Sequence, residues 1–399
     1  MTRHRMLASL CAFVIAVALF RLGQVPVTGQ AQNENGATAA AAPKTPWGEP
    51  DLQGIWSIDY QIPLQRNPKY GNREFFTEEE LTALDNQRAA LLRRDHRVQR
   101  GTERDVAGAY GSVFQTVKHT GRRTSLIVDP PDGRIPALTP EAATRRDAMR
   151  EYALALLQAT QTCKTQESAC AGWKYGPPSP RRAEMPPIYN VGRINRNDGP
   201  EDQSLGVRCM GGQLPDLQIG LAGLYRQIVQ SPGHVQVFYD TGQGQGFTRG
   251  IPVSAAPPLP ASIRLWWGDS RARWEGNTLV VDATNFSPKT DFQGSRENLH
   301  LTERWTRTGP STLELATTIE DPTTWVRPWT VKQEWNRNSD KANRIYYEPR
   351  CAEGNYGILG MLAGARVEDQ AFAAGRGPNP ALKDAATDFA VEENTDPLQ

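Results

Sequence analysis

Histidine and cysteine are scarce, five of each in 399 residues. The cysteine spacing matches no zinc pattern, and only four histidines follow His4, so no metal centre is expected. An excess of charge of one sign is also missing. The net charge is +1, and residues 1–31 carry three arginines and no acid, so the remainder stands at −2. A near-neutral chain without basic blocks argues against a nucleic-acid partner. Beyond the N-terminal stretch, no apolar run is long enough to span a bilayer. There is no Gly-rich nucleotide loop, Gly-x-Ser-x-Gly elbow, His-Glu-x-x-His helix or haem attachment pattern, and no cofactor is expected. Repeats at solenoid or propeller periods are absent.

What is present begins with an export signal. Arg3 and Arg5 precede an apolar stretch, Leu7 to Phe20, and Gly29 and Ala31 supply small residues before a cleavage point at Gln32. Residues 1–31 therefore read as a signal peptide and 32–46 as a disordered linker, which places the chain in the periplasm or outside the cell. Four cysteines then remain: Cys163, Cys170, Cys209 and Cys351. An even number in an exported chain suggests disulfides. Three pairings are open. Cys163 and Cys170 would close a short polar loop readily, leaving Cys209 to join Cys351.

The stretch 264–356 carries the clearest pattern, a run of antiparallel strands. Arg271–Glu275 and Thr278–Thr284 flank Gly276-Asn277, and Leu299–Arg307 and Leu313–Glu320 flank a five-residue turn. Alternation sets Leu299, Leu301, Glu303 and Trp305 on one face, with Leu313, Leu315, Thr317 and Ile319 on the next strand. Trp329, Val331, Gln333 and Trp335 follow on a third. Requiring the apolar faces to coincide puts Trp305 opposite Leu315 and Trp335, and Leu301 opposite Ile319 and Val331. Glu303, Thr317 and Gln333 then form a polar row inside an apolar face.

Elsewhere, Thr77-Glu78-Glu79-Glu80 has capping-box spacing and starts a helix near 77–94, and Thr139-Pro140 starts a second near 139–161. Asp51–Trp56 and Ser125–Val128 read as strands, and Tyr225–Gln230 with His234–Asp240 as a hairpin. Residues 172–197 form a long irregular segment. A single domain over 47–364 and a disordered tail over 365–399 are expected.

Glu303 admits two readings. It pairs with an arginine such as Arg271 or Arg273, or faces an open barrel end; alternatively it contacts a ligand or holds a raised pKa. Arg271 and Arg273 are either members of a surface ion-pair ladder or inward groups that hold a carboxylate. Trp325 and Trp329 either cap the core or form an aromatic lip. Glu353 and Tyr356, in CAEGNY, either satisfy a barrel end or complete a site with Glu303.

Two resemblances bear on these residues. Gly54-x-Trp56 resembles the opening strand of lipocalin-like barrels, whose tryptophan plugs the closed end. The segments TSLIVDPPDGRIPALTPE, GDSRARWEGNTLVVDATNF, ENLHLTERWTR, EDPTTWVRPWT and CAEGNYG are similar to a widespread group of exported bacterial proteins, over roughly 46–364. That likeness brings no assigned chemistry. It departs at Ala352, where members often carry histidine, and in the insertion holding Cys163 and Cys170.

The expected fold is mainly β: an antiparallel lipocalin-like barrel, or strongly curved meander, with two peripheral helices and long loops. Three functions stand. One is an exported binding protein holding a small apolar or aromatic ligand, with Glu303, Thr317 and Gln333 orienting it, Trp305 and Trp335 as walls, and Arg271 and Arg273 as ligand-binding candidates. Another is a cofactor-independent lyase, isomerase or hydrolase with Glu303 or Glu353 as acid or base and Tyr356 or an arginine stabilising charge. The third is a glycan-binding or assembly module using Trp325 and Trp329.

Overall fold

Alternation of inward and outward residues builds one large antiparallel sheet. The computed structural model describes residues 43–92, 119–165, 175–187, 189, 195–203, 205, 207–210, 213–217, 225–242, 245–339 and 356–383. All belong to the second of two units, Ala42–Gln399. The signal peptide, most of the linker and Cys170, Cys351 and Glu353 lie outside the described residues.

The strands are β1 (Gly54–Ser57), β2 (Tyr60–Gln61), β3 (His119–Thr120), β4 (Ile127–Asp129), β5 (Tyr225–Ser231), β6 (His234–Gly242), β7 (Gln245–Pro252), β8 (Asp269–Glu275), β9 (Thr278–Thr284), β10 (His300–Arg307), β11 (Thr312–Glu320) and β12 (Trp329–Asn338). Ten of them form one sheet in the order β7-β6-β5-β1-β12-β11-β10-β9-β8, with β4 also on β12. Two meanders, β5–β7 and β8–β12, are thus joined by the four-residue β1, which pairs with β5 on one side and β12 on the other. The two ends of this path approach each other. Val253 bridges Ala272, the Ser254 amide donates to the Ala272 carbonyl at 3.1 Å, and Arg249 Nε donates to Ser270 Oγ at 2.8 Å. An isolated bridge rather than a ladder spans the gap, so the hydrogen-bonded path itself remains open.

Local chemistry explains the turns. Glu275 pairs with Thr278, and Gly276 takes φ +61°, the first position of a type II′ loop. Ser231 pairs with His234 around Pro232-Gly233. The connection from β11 to β12 is organised by the buried Asp321. Its carboxylate accepts from Ser295 Oγ (2.6 Å), the Thr323 amide (2.8 Å), Thr323 Oγ1 (2.7 Å) and Thr324 Oγ1 (2.8 Å). Burial pushes its pKa up, but these donors outweigh burial and hold it below the usual aspartate value. A depressed folded-state pKa contributes stability that is present above the ordinary value, about 3.9, and is lost as pH falls through the folded one. Asp321→Asn should therefore destabilise the protein at neutral pH, with the gap to the parent closing in strong acid. Urea unfolding across the acid range reads this directly; a pH-independent gap would contradict it.

Three longer helices lie outside the sheet: α1 (Glu78–Leu92), α2 (Pro140–Leu157) and α4 (Tyr356–Ala373), with a short α3 (Gln161–Thr165) after α2. The capping box at α1 forms reciprocally: the Glu80 amide donates to Thr77 Oγ1 at 3.2 Å and the Thr77 amide to Glu80 Oε2 at 2.8 Å. Thr139 Oγ1 caps α2 through the Ala142 amide. Part of the expected disordered tail, 365–373, is helical in α4, and 384–399 lie outside the described residues. The helix α4 ends in a Schellman arrangement, with Gly375 at φ +67°, its amide on the Phe372 carbonyl and the Arg376 amide on Ala371. Asn195 Nδ2 donates to the carbonyls of Ala381 and Lys383 just beyond it. Among the described residues no helix is long and apolar enough to cross a membrane.

The main core lies on one face of the sheet and includes Trp56, Trp305, Trp325, Trp329 and Trp335. Trp56 anchors it at β1. Its Nε1 donates to the Leu52 carbonyl at 3.0 Å, and the Arg307 guanidinium lies 5.6 Å from its ring centre.

Candidate functional site

The alternation of β10 places Leu301, Glu303 and Trp305 inward, as expected, with Trp305 opposite Leu315, Glu303 opposite Thr317 and Leu301 opposite Ile319. One strand further the expected register is corrected by two residues: Thr317 faces Val331, Leu315 faces Gln333, and Leu313 faces Trp335. A slip of two leaves every side chain on its own face, so matching apolar faces cannot exclude it. The compact turn at Asp321 decides it, bringing Trp329 opposite Ile319. Gln333 is therefore a diagonal neighbour of Thr317.

Glu303 is 3 % exposed and ion-paired. Its partner is Arg249 of β7, whose Nη1 donates to both carboxylate oxygens at 3.0 and 2.8 Å, while Trp305 Nε1 donates to Oε2 at 3.0 Å. Arg271 and Arg273, the partners considered from sequence, lie elsewhere. Arg271 pairs with Asp269 at 3.1 Å, and Arg273 with Glu275 and Asp282 at 2.9 and 2.6 Å, on the outer side of β8. The small residues Ser270 and Ala272 face inward instead. Burial works against a charge on Arg249, but Glu303 and Tyr239 beside it outweigh burial and raise its pKa. Tyr239, whose hydroxyl oxygen accepts from Arg249 Nη1 at 3.3 Å, has its own pKa raised by burial and by Glu303.

A second arginine, Arg226 of β5, is wholly buried on the same face. Its guanidinium sits 4.7 Å from the Tyr239 ring centre and 5.4 Å from that of Trp335. Burial draws its pKa down to about 9, with Tyr239 and Asp240 acting in the opposite sense. Its carboxylate partner is Asp216, in the irregular segment Gln213–Leu217. That segment enters the hollow of the sheet: Leu214 and Leu217 join the core, and the Leu217 carbonyl accepts from Gln333 Nε2 at 2.6 Å. The space left beside Glu303 is about 10 Å³, walled by Trp305, Leu315, Thr317 and Trp335 on the strands and by Leu214 and Asp216 on the segment. It has room for about one water.

Of the other expected residues, Tyr356 is 94 % exposed at the start of α4 and does not share the buried site. Trp325 and Trp329 are buried and meet edge to face at 5.6 Å, so they cap the core. Cys163 and Cys209 are disulfide-bonded, and their expected partners Cys170 and Cys351 lie outside the described residues. Sequence reasoning missed Arg249, Arg226 and Asp216. For Arg249 a signal existed: Phe247, Arg249 and Ile251 alternate with Gly246, Thr248 and Gly250, a strand pattern with a charge at an inward position.

No family model matches the chain, and no curated protein matches it. Among solved structures, a secretory abundant heat soluble protein from Ramazzottius varieornatus is similar at 10 % identity, over 30 % of this chain and 75 % of its own, with a TM-score of 0.22. Secretory abundant heat soluble protein 4 from the same organism is similar at 12 % identity, over 34 % of this chain and 83 % of its own, with a TM-score of 0.20.

Proposed function

We propose that the chain is an exported binding protein that holds a small apolar or aromatic molecule inside its curved sheet, with β7 and β8 closing the hollow as in a barrel. The observation that carries this reading is the ion-paired polar group on an otherwise apolar inner face: Glu303 and Arg249, with Tyr239, Thr317 and Gln333, among Trp305, Trp335 and Leu315. A buried ion pair stabilises a fold no better than apolar residues of the same volume, so its presence points to orientation of something polar. Ligand sites run to roughly 300–1,000 Å³, so the present 10 Å³ requires a group that moves aside. Gln213–Leu217, which has no regular secondary structure, is that group. Export is supported by the signal-like residues 1–31 and by disulfide bonding at Cys163 and Cys209.

The enzyme reading is less well supported. The Glu303 carboxylate is held by Arg249 and Trp305 rather than offered to a substrate, and Tyr356 lies in solvent. Buried Trp325 and Trp329 give the surface-lip reading no platform.

Native mass spectrometry of the protein from the cells that export it tests the binding reading. The expected result is a stoichiometric small-molecule adduct, absent from an Arg249→Met/Glu303→Leu double variant that retains its circular dichroism. Protein that carries no adduct, or an adduct that survives in the double variant, would overturn it.

A further inference from the structure

The two interior arginines differ in what neutralises them. Arg249 is matched by Glu303, a residue of the sheet. Arg226, 0 % exposed, is met through Nη2 by Asp216, which the sheet does not hold. Arg226 Nη1 donates to the carbonyls of Tyr225 (2.8 Å) and Asp240 (3.1 Å), and Nε has no hydrogen-bond partner among the described residues. Asp216 is flanked by Leu214 and by Leu217, both buried against the sheet. The segment therefore presents a carboxylate with apolar groups around it to a cationic pocket with aromatic walls.

Resting on the binding reading, we propose that Leu214–Leu217 is a built-in surrogate for the ligand, and that the ligand is a carboxylate amphiphile. Its carboxylate takes the place of Asp216 on Arg226, and its apolar body replaces Leu214 and Leu217 against Trp305, Trp335 and Leu315. The chemistry follows from charge. Displacing Asp216 leaves the buried guanidinium with Asp240 as the remaining carboxylate near it, so whatever takes the place of Asp216 gains by bringing an anion of its own. The planar fork of arginine suits a carboxylate, and a neutral analogue of the same length brings none. Ligand and segment then compete for one place. Apparent affinity is reduced by the fraction of molecules in which the segment is seated, and weakening the segment's hold raises it.

Calorimetric titration of the full chain, freed of bound ligand, with decanoate and with 1-decanol tests this, using the parent, Asp216→Asn and Arg226→Gln. The parent should bind decanoate in preference to decanol. Asp216→Asn should bind decanoate about tenfold more tightly, and Arg226→Gln should lose about tenfold for decanoate and with it the preference for decanoate over decanol. Equal binding of acid and alcohol, or an Asp216→Asn variant that binds decanoate no better than the parent, overturns the surrogate while leaving the binding reading intact. Absence of binding by all three proteins, each folded by circular dichroism, overturns both. Should Arg226→Gln fail to fold, the Asp216→Asn comparison decides alone.

Discussion

Arg249→Met should lower the unfolding free energy by about 3–5 kcal/mol, the usual effect of removing one member of a buried pair. Glu303 would remain 3 % exposed with only the Trp305 indole N–H to meet its charge. Most of that loss belongs to the stranded carboxylate, not to the attraction itself. The double variant Arg249→Met/Glu303→Leu should accordingly recover most of the stability of the parent, giving a large coupling between the two positions. Urea unfolding of the parent, both single variants and the double variant, followed by tryptophan fluorescence, measures all four corners. A single variant close to the parent would mean that Glu303 reaches water and that the inner face is not closed off.

Trp56→Ala should be comparably damaging, at about 3–5 kcal/mol, the range for emptying a buried aromatic position. The reason is topological as well as volumetric. β1 contributes only Gly54–Ser57, yet it joins the two meanders, and Trp56 is its largest buried side chain. Arg307, whose Nη1 donates to the Asp51 carbonyl at 2.9 Å, would lose the ring it lies over. Trp56→Phe keeps most of the apolar contact and gives up the hydrogen bond to Leu52, a loss of about 1 kcal/mol. Thermal unfolding of the two variants should separate them clearly; similar midpoints for Trp56→Ala and the parent would deny β1 its joining role.

Much of the C-terminal meander was legible because its side chains differ sharply across the two faces. Leu301, Glu303 and Trp305 alternate with His300, Thr302 and Arg304, and period-two alternation fixes which face turns inward. It fixes register only to within two residues, which is why Gln333 lies one step from its expected place. Alternation left β8 open because Ser270 and Ala272 are small, so the long arginines between them competed for the inner face; the surface ion-pair ladder is the arrangement that forms. At β7 the inward residue is itself charged and its neighbours are glycines, so the sequence reading assigns no strand there. The partner of Asp216 was beyond reach for a different reason: an irregular segment has no period from which its direction can be deduced. The helix α4 was concealed by Gly360 and Gly364, which lower helix propensity without forbidding it where the C-terminal end is capped.

The most direct test is a crystal structure of the protein with decanoate bound. If Leu214 and Leu217 stand in for a bound carboxylate amphiphile, density lies inside the sheet, its carboxylate on Arg226 and its chain along Trp305 and Trp335, with Leu214 and Leu217 withdrawn from the hollow. Density confined to the outer surface, with Asp216 still seated on Arg226, would contradict it.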